Sequence, residues 1–562
     1  MPTLDWIGKK YVVTHHQDVP YRLLQPDLGN SHLPDNAEDT GNLIVQGDNL
    51  HALKALLPKY AGRVKCIYID PPYNTGNEGW IYNDNLKAPE IKKWLGQVVG
   101  KEAEDLSRHD KWLCMMYPRL MLLKQFLSED GVILVSLDEI ESGHLRLLMD
   151  EVFGSTKRLA TIVWNTRNTD NRIKSSLSPD HELIFAYGKS EDAAILGRII
   201  DRSDFKNPDK DERGPYVTDP LKGKATAQER PNLHAYAMLQ PGTKHRWEPD
   251  PAKGWITDEA GYEKLLVEDR IWWPPNAATG WPRKKRFLSE TSVRMPASSF
   301  WPEFKSHSGA RELDEILDER LFAFPKPTQL VQRIIDYCSP PDSIILDSFA
   351  GSGTTAHAVL KQNAEDGGKR RFILVEMEEH IAKNITAERV RRVSSGYTDA
   401  KGKAVEGLGG TFTYCTLGEN PLFSADGRIE QQVRYDELAE YIWFSHFGTA
   451  WLGWRNHDKA QEELALFHKN GSIKQYPRGP HLGQANGQAL ILLYNGILSD
   501  RSDLGGNVLN QRTLDYLMEK CPAAQIGKTS TTIYAARCRF APARLRQLNL
   551  TFKQLPYRIN TV

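Results

Sequence analysis

Short apolar runs alternate with segments of helical periodicity in two separate parts of the chain. The predicted strands are 43–46, 64–69, 131–136, 158–164, 182–187, 343–347 and 371–375. The predicted helices are 50–57, 112–127, 330–337 and one that begins at Thr354. Buried strands joined by helices are typical of a largely parallel sheet with both faces covered. No convincing helix separates 158–164 from 182–187, so one of these two strands is predicted to run antiparallel.

The periodicity fades between the two parts and again after them. Residues 201–308 are rich in proline, glycine and tryptophan, and hold six of the 14 tryptophans. Residues 419–562 contain apolar runs such as 489–494 and form a plausible separate α+β module without a chemical motif. At 562 residues the chain is too long for one ordinary core, so two or three domains are expected.

Composition excludes several classes of protein. The formal net charge is zero, so a nucleic-acid binder of this kind must concentrate its basic residues locally. Six cysteines are dispersed without a CxxC pair or clustered histidines, which suggests neither a disulfide framework nor a zinc site and favours a cytoplasmic location. We expect no membrane segment and no secretory signal.

The strand that ends at Asp347 leads into a small-residue turn, 348–353, and then a helix. Such a turn lets backbone N–H groups approach a ligand closely. The following strand ends in Glu376, a carboxylate placed to accept hydrogen bonds from ribose hydroxyls. The turn lacks the Gly-Lys-Ser/Thr ending of a P-loop and the spacing of a dinucleotide fold, so a cofactor bound without phosphate contacts fits better than either. A tight turn without a ligand is the alternative.

Asp70-Pro71-Pro72-Tyr73 is the sharpest chemical signal. Two prolines after a buried strand remove two N–H donors, leaving the Asp70 carboxylate and the Pro71 carbonyl as acceptors with an aromatic ring beside them. Two such acceptors can hold the hydrogens of a planar amino group and aim its lone pair at an electrophile, while Tyr73 stacks on an extruded base. A proline-rich strand terminator is the alternative, but it does not account for the flanking acid and aromatic residue.

The paired motifs resemble those of amino-methyltransferases that modify DNA. Asp70-Pro-Pro-Tyr73 and Asp347-Ser-Phe-Ala-Gly-Ser-Gly-Thr-Thr355 occur in the permuted order of the β group, with the catalytic motif first. The chain is most similar to modification (Mod) subunits of Type III restriction systems, through 42–49, 68–76, 181–187, 283–290, 324–327 and 409–414. The resemblance spans residues 40–418. It implies a three-layer α/β/α fold with a mostly parallel seven-stranded sheet that includes one antiparallel strand.

The resemblance also implies roles for individual residues, and S-adenosylmethionine as cofactor. Asp70, Pro71, Pro72 and Tyr73 would hold the flipped adenine. Residues implied to bind the cofactor are Asp48, Lys326, Pro327, Asp347, Phe349, Ala350, Gly351, Gly353, Thr354 and Glu376. Within this set, Asp48 would contact the cofactor adenine, Glu376 the ribose, and Lys326-Pro327 would lie near the methionine end. Aspartate at position 70 favours adenine N6 over cytosine N4. No metal is implied.

DNA contacts are predicted in two basic segments. The run Arg283, Lys284, Lys285 and Arg286 lies in the aromatic-rich insert, and Arg167 and Arg172 flank a polar loop between two strands. A solvated surface is the alternative for the four-residue run. The His181-Glu182 pair is interpreted as a strand edge, because neither a zinc-protease nor a nuclease pattern accompanies it.

The predicted domains follow from these motifs. They are an N-terminal extension (1–40), a catalytic half (41–200), a target-recognition insert (201–308), a cofactor half (309–418) and a module for partner docking or dimerisation (419–562). The predicted partners are double-stranded DNA, a helicase–nuclease restriction subunit and a second copy of the chain. An orphan DNA methyltransferase without a restriction partner, an enzyme acting on cytosine N4, RNA or a protein amide, and a catalytically silent DNA-binding subunit remain alternatives.

Overall fold

The structure, a computed structural model, describes most of the chain. The described residues are 3–34, 40–74, 101–169, 177–199, 201–292, 294–399, 402–423, 429, 433–451, 465–467, 473–475, 480–495 and 501–555. They divide into two compact units, 1–195 with 298–562 and Leu196–Ala297. Each unit is described separately below.

A ten-stranded sheet forms the centre of the larger unit. Its strands are β1 (Arg22–Pro26), β2 (Leu43–Gln46), β3 (Val64–Ile69), β4 (Leu127–Leu137), β5 (Arg158–Asn165), β6 (His181–Gly188), β7 (Phe300–Trp301), β8 (Ile344–Asp347), β9 (Arg371–Glu376) and β10 (Thr413–Pro421). Their order across the sheet is β1-β10-β2-β9-β8-β3-β4-β6-β5-β7. All residues of β8, and all but one of β3, are buried, which is why these segments are apolar in sequence.

The seven strands predicted from sequence are all present, and β6 runs antiparallel to both β4 and β5. The expected count of seven is corrected to ten, because β1, β7 and β10 extend the sheet at its two edges. A second antiparallel strand, β1, pairs with β10. The mostly parallel α/β sheet and its antiparallel strand agree with the predicted methyltransferase fold.

The helices of this unit pack in two groups. They are α1 (Asn49–Tyr60), α2 (Lys101–Phe126), α3 (Glu139–Phe153), α4 (Ser306–Leu317), α5 (Thr328–Cys338), α6 (Thr354–Asp366), α7 (Glu388–Ser395), α8 (Tyr435–Phe447) and α9 (Gln511–Lys520). One group, in which each helix packs against its neighbour, consists of α1, α2, α3 and α8. A second group consists of α4, α5, α6 and α7. Two helix groups and a central sheet form the three layers expected.

Shorter elements complete the larger unit. They include the helices Lys9–Val12, His15–Asp18, Glu379–Ile381 and Pro542–Gln547, a π-helical turn Ala382–Ala387, and a four-stranded sheet of His481–Ala485, Gln488–Leu492, Ser530–Ala535 and Leu550–Gln554. Within the described residues, three two-stranded sheets pair Gly396–Thr398 with Ala404–Glu406, Ala465–Phe467 with Ile473–Gln475, and Val508–Leu509 with Arg537–Cys538. The four-stranded sheet lies in the predicted C-terminal module, whose described residues belong to the same compact unit as the main sheet. Contacts between α8 and α1 join them.

The smaller unit, Leu196–Ala297, has its own apolar core. Four of the insert's tryptophans pack in or against it: Trp247 stacks on Trp273 with ring centroids 5.4 Å apart, and the fully buried Trp255 contacts the edge of Trp281. Its three-stranded sheet has Arg283–Phe287 between Ile271–Trp272 and Tyr216–Pro220. A helix, Glu259–Val267, begins at the capping residue Asp258. Trp301, predicted to lie in the insert, belongs instead to β7 of the main sheet.

None of the helices in the described ranges combines the length and the apolar character needed to cross a bilayer.

Candidate active site

Two adjacent parallel strands bring the two sequence motifs to one edge of the sheet. In the pairing of β3 with β8, Ile345 lies opposite Cys66 and Leu346 opposite Ile67. Asp70 follows the last residue of β3, and Asp347 is the last residue of β8. Because the carboxyl ends of parallel strands lie at the same edge, the two turns emerge side by side.

The turn after β3 is held by side chains from other elements. The indole Nε1 of Trp112, on α2, donates to the Pro72 carbonyl at 2.8 Å. Tyr73 Oη lies 2.9 Å from Asp70 Oδ1, so the aromatic residue and the acid of the motif are in contact. Burial raises the pKa of the Tyr73 phenol well above its ordinary value, and Asp70 and Glu182 add to this effect. Tyr73 therefore acts as a hydrogen-bond donor rather than as a base.

Glu182 is a site residue that the sequence interpretation missed. Its Oε2 lies 2.7 Å from Tyr73 Oη, so the single phenolic proton is directed at either Glu182 or Asp70. Glu182 is near the start of β6. Because β6 is antiparallel, its first residues lie where the neighbouring parallel strand β4 ends. The direction of β6 was therefore the signal that could have found Glu182.

Lys326 joins the two halves of the site. Its Nζ lies 2.6 Å from Asp70 Oδ2, 3.8 Å from Glu182 Oε2 and 4.8 Å from the centre of the Tyr73 ring. Burial acts to lower the pKa of Lys326, but the Asp70 and Glu182 carboxylates outweigh it and raise the pKa. The ammonium group is thus a permanent positive charge against the catalytic motif. Sequence similarity had placed Lys326 only near the cofactor.

Behind Lys326, the start of α5 and the start of α6 share a buried polar cluster. Thr354 Oγ1 donates to the Lys326 carbonyl at 3.3 Å. The fully buried Arg389 guanidinium donates to Thr354 Oγ1 and to Thr328 Oγ1, each at 2.9 Å. Pro327 immediately precedes α5. This cluster fixes the segment from which the Lys326 side chain extends.

The turn after β8 is closed by hydrogen bonds to Asp347. Its Oδ1 accepts from the Phe349 backbone N–H at 3.0 Å and its Oδ2 from Thr355 Oγ1 at 2.5 Å. Burial raises the pKa of Asp347 to about 7. Gly351 has φ 49°, and a Cβ there would lie 3.1 Å from the Phe322 ring, so a larger residue would be strained and crowded. Ala350 and Gly353 complete the turn, with Gly353 donating to the Ala350 carbonyl at 2.9 Å.

Glu376 and Asp48 lie at the ends of the next two strands, β9 and β2. Glu376 Oε2 accepts from the Gly351 N–H at 2.8 Å, which ties the two predicted cofactor segments together. Burial raises the pKa of Glu376. Asp48 caps α1 by accepting from the His51 N–H at 3.1 Å and lies 3.5 Å from Arg119 Nη2. All ten predicted cofactor residues thus lie along one edge of the sheet or on the segments that adjoin it.

The residues predicted to contact DNA are distributed differently. Arg167, 46% exposed at its side chain, donates to the Pro179 carbonyl at 3.1 Å, and Arg172 lies outside the described residues. Arg283 donates to Thr218, and Arg286 pairs with Asp219 at 2.8 Å. Neither of these contacts removes the arginine from solvent, because Arg286 is 46% exposed and Arg283 is half-buried.

Lys285 requires a correction. Its side chain is only 6% exposed, and its Nζ lies 2.8 Å from Asp209 Oδ2 and 3.2 Å from Asp211 Oδ2. Lys285 and Phe287 are buried on one face of their strand, whereas Lys284 and Arg286 alternate onto the other. Because carboxylates already occupy its ammonium group, we withdraw Lys285 as a phosphate contact and keep Lys284 as a candidate.

Comparison with known proteins defines the class of this chain. Residues 64–388 match the family described as DNA methylase. This match covers more than half of the 562 residues, so the chain belongs to the DNA methylase family. The resemblance inferred from the Asp70 and Asp347 motifs is thereby confirmed.

Three relatives are similar to this chain over about two thirds of its length. The StyLTI Mod subunit of a Type III restriction-modification enzyme from Salmonella typhimurium is 31% identical, covering 69% of this chain and 60% of that protein. The EcoPI Mod subunit from Escherichia phage P1 is 34% identical, covering 68% and 65%. The Type II methyltransferase M.KpnI from Klebsiella pneumoniae is 30% identical, covering 66% and 91%. The chain therefore spans less than two thirds of the two Mod subunits.

Proposed function

We propose that this protein is an S-adenosylmethionine-dependent DNA methyltransferase that modifies the N6 amino group of adenine. The observation that carries the proposal is the placement of the Asp70 turn and the Asp347 turn at the carboxyl ends of adjacent parallel strands. This placement supports the proposal, because it puts the proposed acceptor for the target nitrogen beside the residues proposed to hold the methyl donor.

The residues at this edge suit a cationic cofactor. Asp347 and Glu376 are buried carboxylates within a backbone turn that a side chain at Gly351 would crowd. S-adenosylmethionine, when bound, supplies a methyl group already activated by a positive sulfonium. Asp347, Phe349, Ala350, Gly351, Gly353 and Thr354 would hold it, with Glu376 at the ribose, Asp48 at the adenine and Lys326-Pro327 near the methionine end.

The chain's own groups would orient the target. Asp70 and the Pro71 carbonyl accept the hydrogens of the amino group and favour a more pyramidal nitrogen, whose lone pair then faces the methyl donor. The Tyr73 ring stacks on the flipped base, while its hydroxyl remains bonded to Asp70 or Glu182. The nitrogen's surplus proton leaves to Asp70 or to solvent. Asp70 must release Lys326 in part, because the ammonium occupies Oδ2.

The compact unit Leu196–Ala297, which overlaps most of the insert predicted at 201–308, is the proposed target-recognition region. Phosphate contacts from Lys284, Arg283 and Arg286 would position the duplex, and Arg167 would contribute from the loop after β5. The remaining domain boundaries, 1–40, 41–200, 309–418 and 419–562, are proposed as predicted.

The biological context is proposed from the relatives' names. Type III Mod subunits are components of restriction-modification enzymes, so we propose that this chain is the modification component of such a system and acts with a helicase–nuclease partner in the cytoplasm. Residues 419–562 would dock that partner or a second copy. Deleting 419–562 should then change the oligomeric state or abolish partner binding, and an unchanged result for both would remove this assignment.

One assay tests the chemistry. The full chain is incubated with tritiated S-adenosylmethionine and unmethylated plasmid DNA, RNA or peptide, and the products are hydrolysed and separated. We expect label in N6-methyladenine from duplex DNA. Label in N4-methylcytosine would support a DNA methyltransferase but contradict adenine as its target base. Label in RNA or peptide alone would exclude DNA as the substrate.

A further inference from the structure

Three ionisable side chains form a cluster on two neighbouring helices that adjoin the Asp70 turn. Glu141 and His144 lie three residues apart on α3, and His109 lies on α2, which packs against α3. The Glu141 side chain is fully buried, whereas those of His109 and His144 are 23% and 37% exposed. The carboxylate therefore lies inside the fold, and the two imidazoles connect it to solvent.

Both oxygens of Glu141 face a histidine nitrogen. His109 Nδ1 lies 2.6 Å from Oε1, and His144 Nδ1 lies 2.7 Å from Oε2. One ligand atom from each residue can be chosen so that all three lie within 4.8 Å of one another. Two imidazole nitrogens and a carboxylate oxygen are thus close enough together to hold one metal ion.

The buried Glu141 carboxyl group is faced by two imidazoles and one amide. A fully buried carboxylate is costly unless a positive charge accompanies it. Within the described ranges, the ion-pair partners of Glu141 are His109 and His144, and no lysine or arginine lies within 4.0 Å of it. A metal ion held by these three side chains would supply a positive charge beside the carboxyl group.

We propose that His109, Glu141 and His144 bind a divalent transition-metal ion of the zinc class. Two imidazoles and one carboxylate are a ligand set that suits zinc and cobalt, whereas calcium and magnesium prefer sites made wholly of oxygen. Binding at Nδ1 requires each imidazole to be neutral with its proton on Nε2, so a ring protonated at Nδ1 alone changes tautomer rather than losing a proton. Three protein ligands leave a fourth position for water.

Metal binding requires side-chain movements of about 1–1.5 Å. Metal–ligand bonds of about 2.0–2.1 Å place tetrahedral ligands roughly 3.3 Å apart, so the two imidazole–carboxylate distances must open by less than about 1 Å. Ligand atoms that lie up to 4.8 Å apart must move closer together. His109 and His144 can provide this through side-chain rotation, because both are partly exposed.

An ion bound here would act on the catalytic turn through Asn74. This residue follows Tyr73, has φ 60°, and donates from Nδ2 to Glu141 Oε1. Fixing the Glu141 carboxylate therefore fixes the residue that ends the Asp70–Tyr73 turn. The metal would position the turn rather than take part in methyl transfer.

Titration of the metal-free full chain with Co²⁺ tests the proposal. We expect one ion per chain, with the visible absorption of low-symmetry Co²⁺, and displacement by Zn²⁺. In His144→Ala and in His109→Ala the affinity should fall by more than about ten-fold, the loss that even an outer-shell partner can cause. His307→Ala removes an exposed histidine of α4 and should bind as the parent does.

Thermal unfolding supplies a second measurement. Zn²⁺ should raise the Tm of the parent chain and of His307→Ala, but leave that of His144→Ala unchanged, because only a folded site binds the ion. Absence of saturable Co²⁺ uptake by the parent overturns the proposal. So does uptake of equal affinity in both histidine variants, and the cluster is then a hydrogen-bonded one only.

Discussion

Lys326 and Asp70 are 256 positions apart in the chain, and their charged groups lie 2.6 Å from each other. The pair links a residue before α5 to the residue after β3. The carboxylate that we propose for the target amino group is thus already held by an internal ammonium group. The segments predicted as the catalytic half and the cofactor half contact each other at this pair.

Replacing Asp70 by alanine should abolish methyl transfer and leave cofactor binding within about two-fold, because the acceptor acts on the substrate nitrogen. Tritiated-methyl transfer and calorimetric titration with S-adenosylmethionine measure the two effects. Asp342→Ala is the control, since Asp342 is exposed and precedes β8 at the opposite edge of the sheet. Full activity of Asp70→Ala would exclude this carboxylate from the chemistry.

Replacing Glu182 by glutamine should lower kcat by roughly ten-fold, because the carboxylate orients Tyr73 and faces the Lys326 ammonium. Glu182 acts through Tyr73, so cofactor affinity should stay unchanged. Glu191→Gln, at a side chain 84% exposed, serves as the matched control. Single-turnover kinetics separate the steps, and an unaltered rate for Glu182→Gln would count against the positioning role.

Cofactor affinity should increase as the pH rises through about 7. Burial raises the pKa of Asp347 to about 7, so the carboxyl is partly neutral near that pH, and a cationic cofactor binds its ionised form more tightly. Dissociation constants measured between about pH 5.5 and 7.5 should fall with pH for the parent chain and stay flat for Asp347→Asn. A parallel slope in both chains would contradict the prediction.

The same residue should make the fold less stable as pH rises. The pKa of Asp347 is raised from an ordinary 3.8, so the folded chain holds its proton more tightly than the unfolded chain does. The stabilisation that this group contributes is complete below its ordinary pKa of 3.8 and is lost as the pH rises to about 7. The free energy of unfolding, measured with denaturant between about pH 4 and 7, should fall less steeply with pH for Asp347→Asn than for the parent chain.

Substitutions of the adjacent residues Lys284 and Lys285 should affect different properties, DNA binding for Lys284 and stability for Lys285. Lys285→Ala should lower the free energy of unfolding by roughly 1–3 kcal/mol, because Asp209 and Asp211 lose the ion pair with the buried ammonium group. Arg213 still pairs with Asp211. Lys284→Ala should leave stability unchanged but weaken DNA binding and reduce the salt slope by about 0.9. Urea unfolding and binding isotherms at several salt concentrations compare them. Equal effects of the two variants on the salt slope would refute the assignment.

The central strands could be predicted because each is an apolar run whose burial is nearly complete. The edge strands could not. β1 is half-buried or exposed along its length and pairs with β10, almost four hundred residues away. β7 is only two residues long, too short to show a pattern. Their pairing is determined by contacts distant in sequence rather than by local propensity.

The candidate site was predictable where its chemistry is local. Asp70 and Asp347 follow buried strands, and their neighbours in sequence complete their turns. Glu182 and Lys326 could not be assigned to Tyr73 and Asp70 in this way, because their contacts depend on the direction of β6 and on the path into α5. The prediction that Lys285 contacts DNA was wrong because it assumed that all four residues of the basic run are exposed. Alternate residues of a strand face opposite sides, and Lys285 lies on the buried side.

The two ends of the unit Leu196–Ala297 are hydrogen-bonded to each other, since Ile199 pairs with Arg294 and Arg198 with Met295. Because the two ends of this unit lie side by side, the whole segment between them can be replaced without changing the length of the flanking strands. If this unit reads DNA as proposed, new sequence specificities can be grafted between residues 196 and 297 while Asp70, Lys326 and Asp347 stay as they are. Chimaeras joined at this pair of short strands would share the same catalytic residues and differ in the DNA sequence that they recognise.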